Sequence, residues 1–201
     1  MTTLNYIVTA GANDAWWDSS AINTGVAGFR LGTVGGSGGF RSSFARWSVT
    51  IPAGATIDTA HVTLTDWWNE STSASVTTTI AGHDADNPAA LTTQAGCVSA
   101  TRTTATASFV WASGTAQTTD TEHTTPELKT IIQELVNSYD YSSGAALTLL
   151  FDYASSSADR QLVFDAYDDS TTKAPKLHIE YTEAATTKIP VLMNQYRQRK
   201  V

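Results

Sequence analysis

Charge is what this sequence has least of. Of its 201 residues, 12 are Lys or Arg and 19 are Asp or Glu, so 15% ionise, against roughly 25% in an average globular domain. Cysteine occurs once, at Cys97, which excludes an internal disulfide and leaves packing to hold the fold. A lone thiol without an obvious His or Asn partner motif reads as filler rather than nucleophile. No apolar run approaches the roughly 18 residues of a membrane span. The opening MTTLNYIVTAGANDAWW has no basic stretch followed by an apolar one, so no secretory signal is read there. There is no GxSxG, HExxH, CxxC pair or phosphate loop. The glycine-rich GTVGGSGG at 32–39 has no following Lys and helix, and reads as a turn.

What takes the place of charge is hydroxyl. Threonine occurs 33 times, and 41% of the residues are apolar. That is enough for one domain with a proper core. A β-branched residue with a polar tip suits a pleated surface with one wet face. The composition therefore argues against a helix bundle, a coiled coil or a dinucleotide-binding enzyme, and for an all-β domain.

The chain reads as short alternating strands between turn-rich loops. Strands are predicted at 4–9, 29–34, 43–51, 59–65, 76–83, 107–111, 146–153, 161–166 and 176–182. In 43–51, Ala45, Trp47, Val49 and Ile51 take one face, and Phe44, Arg46, Ser48 and Thr50 the other. In the last strand Leu177, Ile179 and Tyr181 point inward, with Lys176, His178 and Glu180 outward. Leu150 opposes Leu147, Leu149 and Phe151, so its strand is covered on both sides. One helix is predicted over 126–137, with Thr125 as cap, Pro126 at the first helical position and a stripe of Leu128, Ile131, Ile132, Leu135 and Val136. Residues 84–105 are poorly patterned and read as a decorated loop or a short helix. The expected architecture is a two-sheet β-sandwich, a jelly roll with one short helix over residues 1–183, followed by an extended C-terminal tail over 184–201.

Three segments carry a family resemblance. They are RSSFARWSVTIPAGATIDTAHVTLT, the helix before SSGAALTLLFD, and VFDAYDDSTTKAPKLHIEYT. Together, across most of 1–182, they resemble the DNRLRE-type jelly rolls, β-sandwiches like carbohydrate-binding modules. The resemblance lies in turn and strand patterns, so it implies a fold and not a chemistry. A small, Thr-rich jelly roll without a signal is also similar in style to the structural proteins of tailed bacteriophage particles.

The candidate site residues follow from chemistry. Trp16–Trp17 and Trp67–Trp68 are adjacent pairs in or beside loops. Neighbours in a strand point to opposite faces, so one ring of each pair is expected in the core and the other outside. An outer ring can plug the sandwich end, enter a protein interface or stack on a sugar. His61 and His178 are expected on outward faces of strands that can pair, as solvated surface rather than metal ligands. Asp84, Asp86 and Asn87 gather oxygens that suit either a structural calcium or a plain Asx turn. Asp152, Asp165, Asp168 and Asp169 form a second acidic group without a glycosidase motif around it. The tail is the strongest signal. Residues 184–201 hold Lys188, Arg197, Arg199 and Lys200 and no acid, while residues 1–183 hold 8 basic and all 19 acidic residues, a net −11. Ile189, Pro190, Leu192, Met193, Tyr196, Arg197 and Arg199 are expected to dock on a partner. An acidic body suits neither nucleic acid nor a membrane surface. The expectation is therefore a non-enzymatic virion protein: a capsid decoration or auxiliary protein, or a small tail component, bound to other virion proteins and to copies of itself. A carbohydrate-binding module of a secreted polysaccharide-acting protein is the alternative.

Overall fold

The computed structural model describes residues 1–25, 28–35, 39–70 and 74–185. Ile189, Pro190, Leu192, Met193, Tyr196, Arg197 and Arg199 lie outside the described residues. Two antiparallel sheets pack face to face. The smaller holds β1 (Thr2–Ile7), β12 (Lys176–Thr182), β6 (Thr56–Thr65) and β9 (Glu122–Thr124), in that order. The larger runs β11 (Gln161–Phe164), β4 (Phe29–Val34), β5 (Gly39–Val49), β10 (Ala145–Ser156), β7 (Val76–His83) and β8 (Arg102–Trp111). Two short strands, β2 (Asp14–Trp17) and β3 (Ile22–Thr24), join it where β2 pairs with Ser42 to Ala45 of β5. The chain passes repeatedly between sheets, and β12, near the C-terminus, sits between β1 and β6. This is the two-sheet all-β sandwich that the alternation implied.

The core fills the space between the sheets. Trp47, Val49, Ile80, Leu147, Leu149 and Phe151 come from the larger sheet, and Ala60, Val62, Leu64, Leu177 and Ile179 from the smaller; all are buried. The inward and outward sets of β12 fall as the alternation demands. Phe44 does not. Its strand alternates, yet both of its faces are covered, because a short helix α1 (Gln94–Ser99) and Leu91 before it cover the outer face of the larger sheet, where β2 lies beside β5. Beneath that roof Ala15, Trp17, Phe44, Cys97 and Leu150 form a second apolar cluster. Burial there pushes the Cys97 thiol up to about 11, so it is a protonated packing group.

Residues 84–105 hold the short helix that was one of the two readings, α1, capped by Thr93 Oγ1 accepting from the Gly96 N–H at 3.0 Å. Two expectations need correction. β8 starts at Arg102, five residues before the predicted strand. The long helix, α2 (Lys129–Ser138), starts three residues later than predicted. Its apolar stripe of Ile131, Ile132, Leu135 and Val136 is buried as read, but the cap residues are diverted to β6. Thr125 Oγ1 accepts from the Val62 N–H at 2.9 Å, and Glu127 accepts from the Ala60 N–H at 2.7 Å and from Lys129 N–H at 2.9 Å. Pairing to an open strand edge outcompetes a local cap, because each buried amide left unmade costs more than a cap contributes.

Candidate functional site

Four of the six tryptophans are internal: Trp16 is 9% exposed, Trp17 2%, Trp47 2% and Trp111 4%. Trp67 and Trp68 stand apart at 37% and 36%. The expected split of each pair, one ring in and one out, is therefore wrong for both. Trp17 faces the second cluster, while Trp16 lies between the guanidinium groups of Arg30 and Arg41, 5.1 and 4.5 Å from its ring. Neither is a surface binding residue. The strand β2 is roofed on both faces, which its sequence, read as a loop, did not reveal.

Trp67 and Trp68 follow the end of β6, and a buried polar frame holds them. Asp66, fully buried, forms a bridge to Phe164. Its carboxylate accepts from Gln117 Nε2 at 2.7 Å and Thr118 N–H at 2.9 Å, and pairs with His123 Nε2 at 2.9 Å. Gln117, also buried, donates a second time to the Val163 carbonyl. Its own Oε1 accepts from Val163 N–H at 3.1 Å and from the Trp68 indole N–H at 3.3 Å. Trp67 is fixed through its backbone N–H, which donates to Val163 O at 3.1 Å. The two rings sit 5.9 Å apart with a 31° tilt. Leaving two adjacent indoles a third exposed forfeits part of the burial that is ordinarily worth about 1.5–3 kcal/mol for a large apolar side chain.

Beside Trp68 lies an open pocket of about 240 Å³, lined by Thr33, Val34, Glu70, Asp159 and Gln161. Arg160 lines its floor, within the field of Glu70. It is 2% exposed, donates to Ala74 O at 2.8 Å and Thr115 O at 2.7 Å, and faces the Trp111 ring. The pocket therefore offers an aromatic edge, an amide and carboxylates.

The remaining candidates are absorbed by the fold. Asp84 accepts from the Tyr139 hydroxyl at 2.9 Å; Asn87, with a left-handed φ of 41°, accepts from Ala146 N–H; Asp86 is exposed. Among the described residues no group of three or more His, Cys, Asp or Glu is placed to hold a metal ion. His61 and His178 do face each other across β6 and β12, with rings stacked at 4.6 Å. Burial, then the His178 charge, holds the His61 imidazole below its usual range. Asp152 pairs with Arg102, at 2.9 and 3.1 Å, away from the other carboxylates. Asp169 accepts from Gly28 N–H at 2.6 Å and from Ala166 N–H.

Asp14 joins Asp168 and Asp169, a neighbour that the sequence separation hid. Only 3% exposed, it accepts from Tyr167 N–H at 2.8 Å. Burial, reinforced by Asp168 and Asp169, pushes its carboxyl up to about 7. Burial likewise raises Asp165, 5% exposed, to about 6. At that burial neither meets a substrate; the consequence is for stability. An unfolded Asp ionises near 3.9, so between about 4 and 7 the folded protein binds the extra proton, and the contribution of Asp14 is lost as pH rises through that window. The ceiling is on the order of 4 kcal/mol. Asp14→Asn keeps an acceptor for Tyr167 without the charge. It is expected to melt above the parent at pH 8 and level with it at pH 4; equal melting temperatures at pH 8 would contradict the assignment.

Compared with known proteins, the sequence matches no family model and no curated protein. Among the described residues no helix is long and apolar enough to cross a membrane.

Proposed function

We propose that the chain is a non-enzymatic structural protein of a tailed-bacteriophage particle, a jelly roll of the DNRLRE type serving as a capsid decoration or auxiliary protein or as a small tail component. Its work is binding to other virion proteins and to copies of itself. The observation that carries this reading is the Trp67–Trp68 pair, held outward by Asp66 and Gln117 while every other indole is internal. Large aromatics presented on a fixed frame are what protein interfaces use as anchors. The charge break at residue 184 supports it, with a body of net −11 and a tail of net +4. Asp14 and Asp165, the acids whose proton affinity is most altered, are buried supports of the fold, which leaves them outside any reaction at the surface.

Deletion of residues 185–201 tests the reading. Among the described residues every strand ends by Thr182, so the truncated protein is expected to keep its circular dichroism and melting temperature. It is expected to lose attachment to particles and to other copies, measured by co-sedimentation. Unchanged attachment overturns the proposal. A second reading, a carbohydrate-binding module, draws on one observation: the Trp68 ring lies beside Glu70, Asp159 and Gln161, an arrangement that can stack on a sugar ring and bond its hydroxyls. Glycan binding that is lost in Trp68→Ala would favour it.

A further inference from the structure

We infer that the Trp67–Trp68 pole receives the basic C-terminal segment of a second copy, so that bodies join head to tail. The inference deepens the proposed function and rests on it. It starts from the chemistry of the pocket. An exposed indole next to carboxylates is a recognition set for a guanidinium or ammonium group, which gains the ring's negative face and an ion pair together. Asp159 is exposed and Glu70 half-buried at the edge of Trp68. Among the described residues neither takes part in a salt bridge, whereas the nearby Asp120 and Glu122 are paired with Lys173 and Lys176. The cation closest in sequence, Arg160, is 2% exposed, donates to the carbonyls of Ala74 and Thr115 and feels the charge of Glu70, which makes the exposed Asp159 the carboxylate that an incoming cation meets.

The complementary group is in this chain. Tyr196, Arg197, Arg199 and Lys200 end a segment that holds four basic residues, no acid, and the apolar Ile189, Leu192 and Met193. The apolar residues match the two indoles, and the cations match the carboxylates. Direction selects a second copy over the same one. β12 runs from Lys176, opposite Thr63, to Thr182, opposite Thr56, and Ala184 lies against Gly54 in the β5–β6 turn. Trp67 follows the other end of β6. The described chain thus ends at Ala185, at the end opposite the indoles, about 30 Å from them along ten strand residues, and a segment that reached its own indoles would have to run back along the whole sheet. A body stacked on that end presents its indole pole beside Ala185 instead. Each copy then offers one donor and one acceptor, a heterologous contact that closes into a ring or extends as a filament.

The test exchanges charges in the full-length chain and reads mass by light scattering against concentration. Wild type is expected to associate, and to dissociate in about 1 M salt, where screening is nearly complete. Asp159→Lys and the tail variant Arg197→Glu/Arg199→Glu are each expected to weaken self-association about tenfold or more. An equimolar mixture of the two is expected to regain it, because each supplies the surface that the other has lost. Trp68→Ala, which removes the indole without changing any charge, guards against misfolding of the charge variants and is expected to weaken association alike. If deletion of 186–201 abolishes association while Asp159→Lys and Trp68→Ala leave it intact, the segment docks elsewhere; the inference fails and the proposed function stands. If wild type is monomeric at every concentration, or Trp68 proves to bind a glycan while association persists without it, the inference is overturned.

Discussion

Asp66→Ala is expected to cost about 3–5 kcal/mol, a large share of the stability of a single domain. The carboxylate is fully buried and meets three donors: Gln117 Nε2, Thr118 N–H and His123 Nε2. Gln117 keeps its bond to Val163 O, but Thr118 and His123 lose their acceptor inside the protein. The damage reaches the surface, because Gln117 is also the acceptor that orients the Trp68 indole. Urea unfolding of Asp66→Ala should therefore show a lower midpoint, and its native tryptophan emission should shift as Trp68 turns freely. Asp66→Asn retains an acceptor oxygen and should fall between. A midpoint for the alanine variant within about 1 kcal/mol of wild type would mean that the frame is dispensable.

Gly32→Ala is expected to cost at least about 3 kcal/mol, more than the usual penalty for a surface-side change. Gly32 has φ +105°, which an L side chain rarely adopts, and a Cβ there would lie 2.2 Å from the Arg160 carbonyl oxygen. That oxygen is backbone and already accepts from Thr33 N–H at 2.7 Å. The clash can be relieved only by parting β4 from the chain entering β11, which form one wall of the pocket beside Trp68. Thermal melting and hydrogen exchange at Thr33 would read the effect. Gly114→Ala is the control. It also has positive φ, but nothing lies within 4 Å, so it should carry the conformational cost without the collision.

Alternation made most of the sandwich legible. β4, β7 and β12 end where their patterns end, and the buried stripe of α2 falls on the residues that helical spacing selects. What escaped was structure imposed by a second layer. DAWW carries no alternation because β2 is enclosed on both sides, so period-2 reasoning has nothing to detect. The first half of β8, RTTATA, is concealed for the opposite reason: Thr and Ala differ too little in polarity to show which face is wet. At the site, adjacency identified Trp67 and Trp68, but their exposure depends on Asp66, Gln117 and Val163, distant in sequence. Gln117 sits in a polar stretch, GTAQTTD, where nothing hints that its amide is buried. Asp14 beside Asp168 and Asp169 was invisible in the same way, 153 residues from the Tyr167 amide that it accepts.

The position of β12 governs how the chain can be made. A ribosome releases β1 first and β12 last, yet β12 is the strand that joins β1 to β6. Until residue 182 has emerged, β1 has no neighbour in its sheet, and β6 has only the three residues of β9. The larger sheet can assemble earlier around β5, β7 and β10, but the layer it closes on then consists of β6, β9 and α2 alone. Nascent chains should therefore hold one sheet with a partly uncovered apolar side until β12 emerges, and complete the domain in a late step set by loop closure across nearly the whole chain. Premature termination anywhere before β12 leaves that side exposed, and such fragments should be substrates for chaperones and proteases rather than smaller versions of the fold.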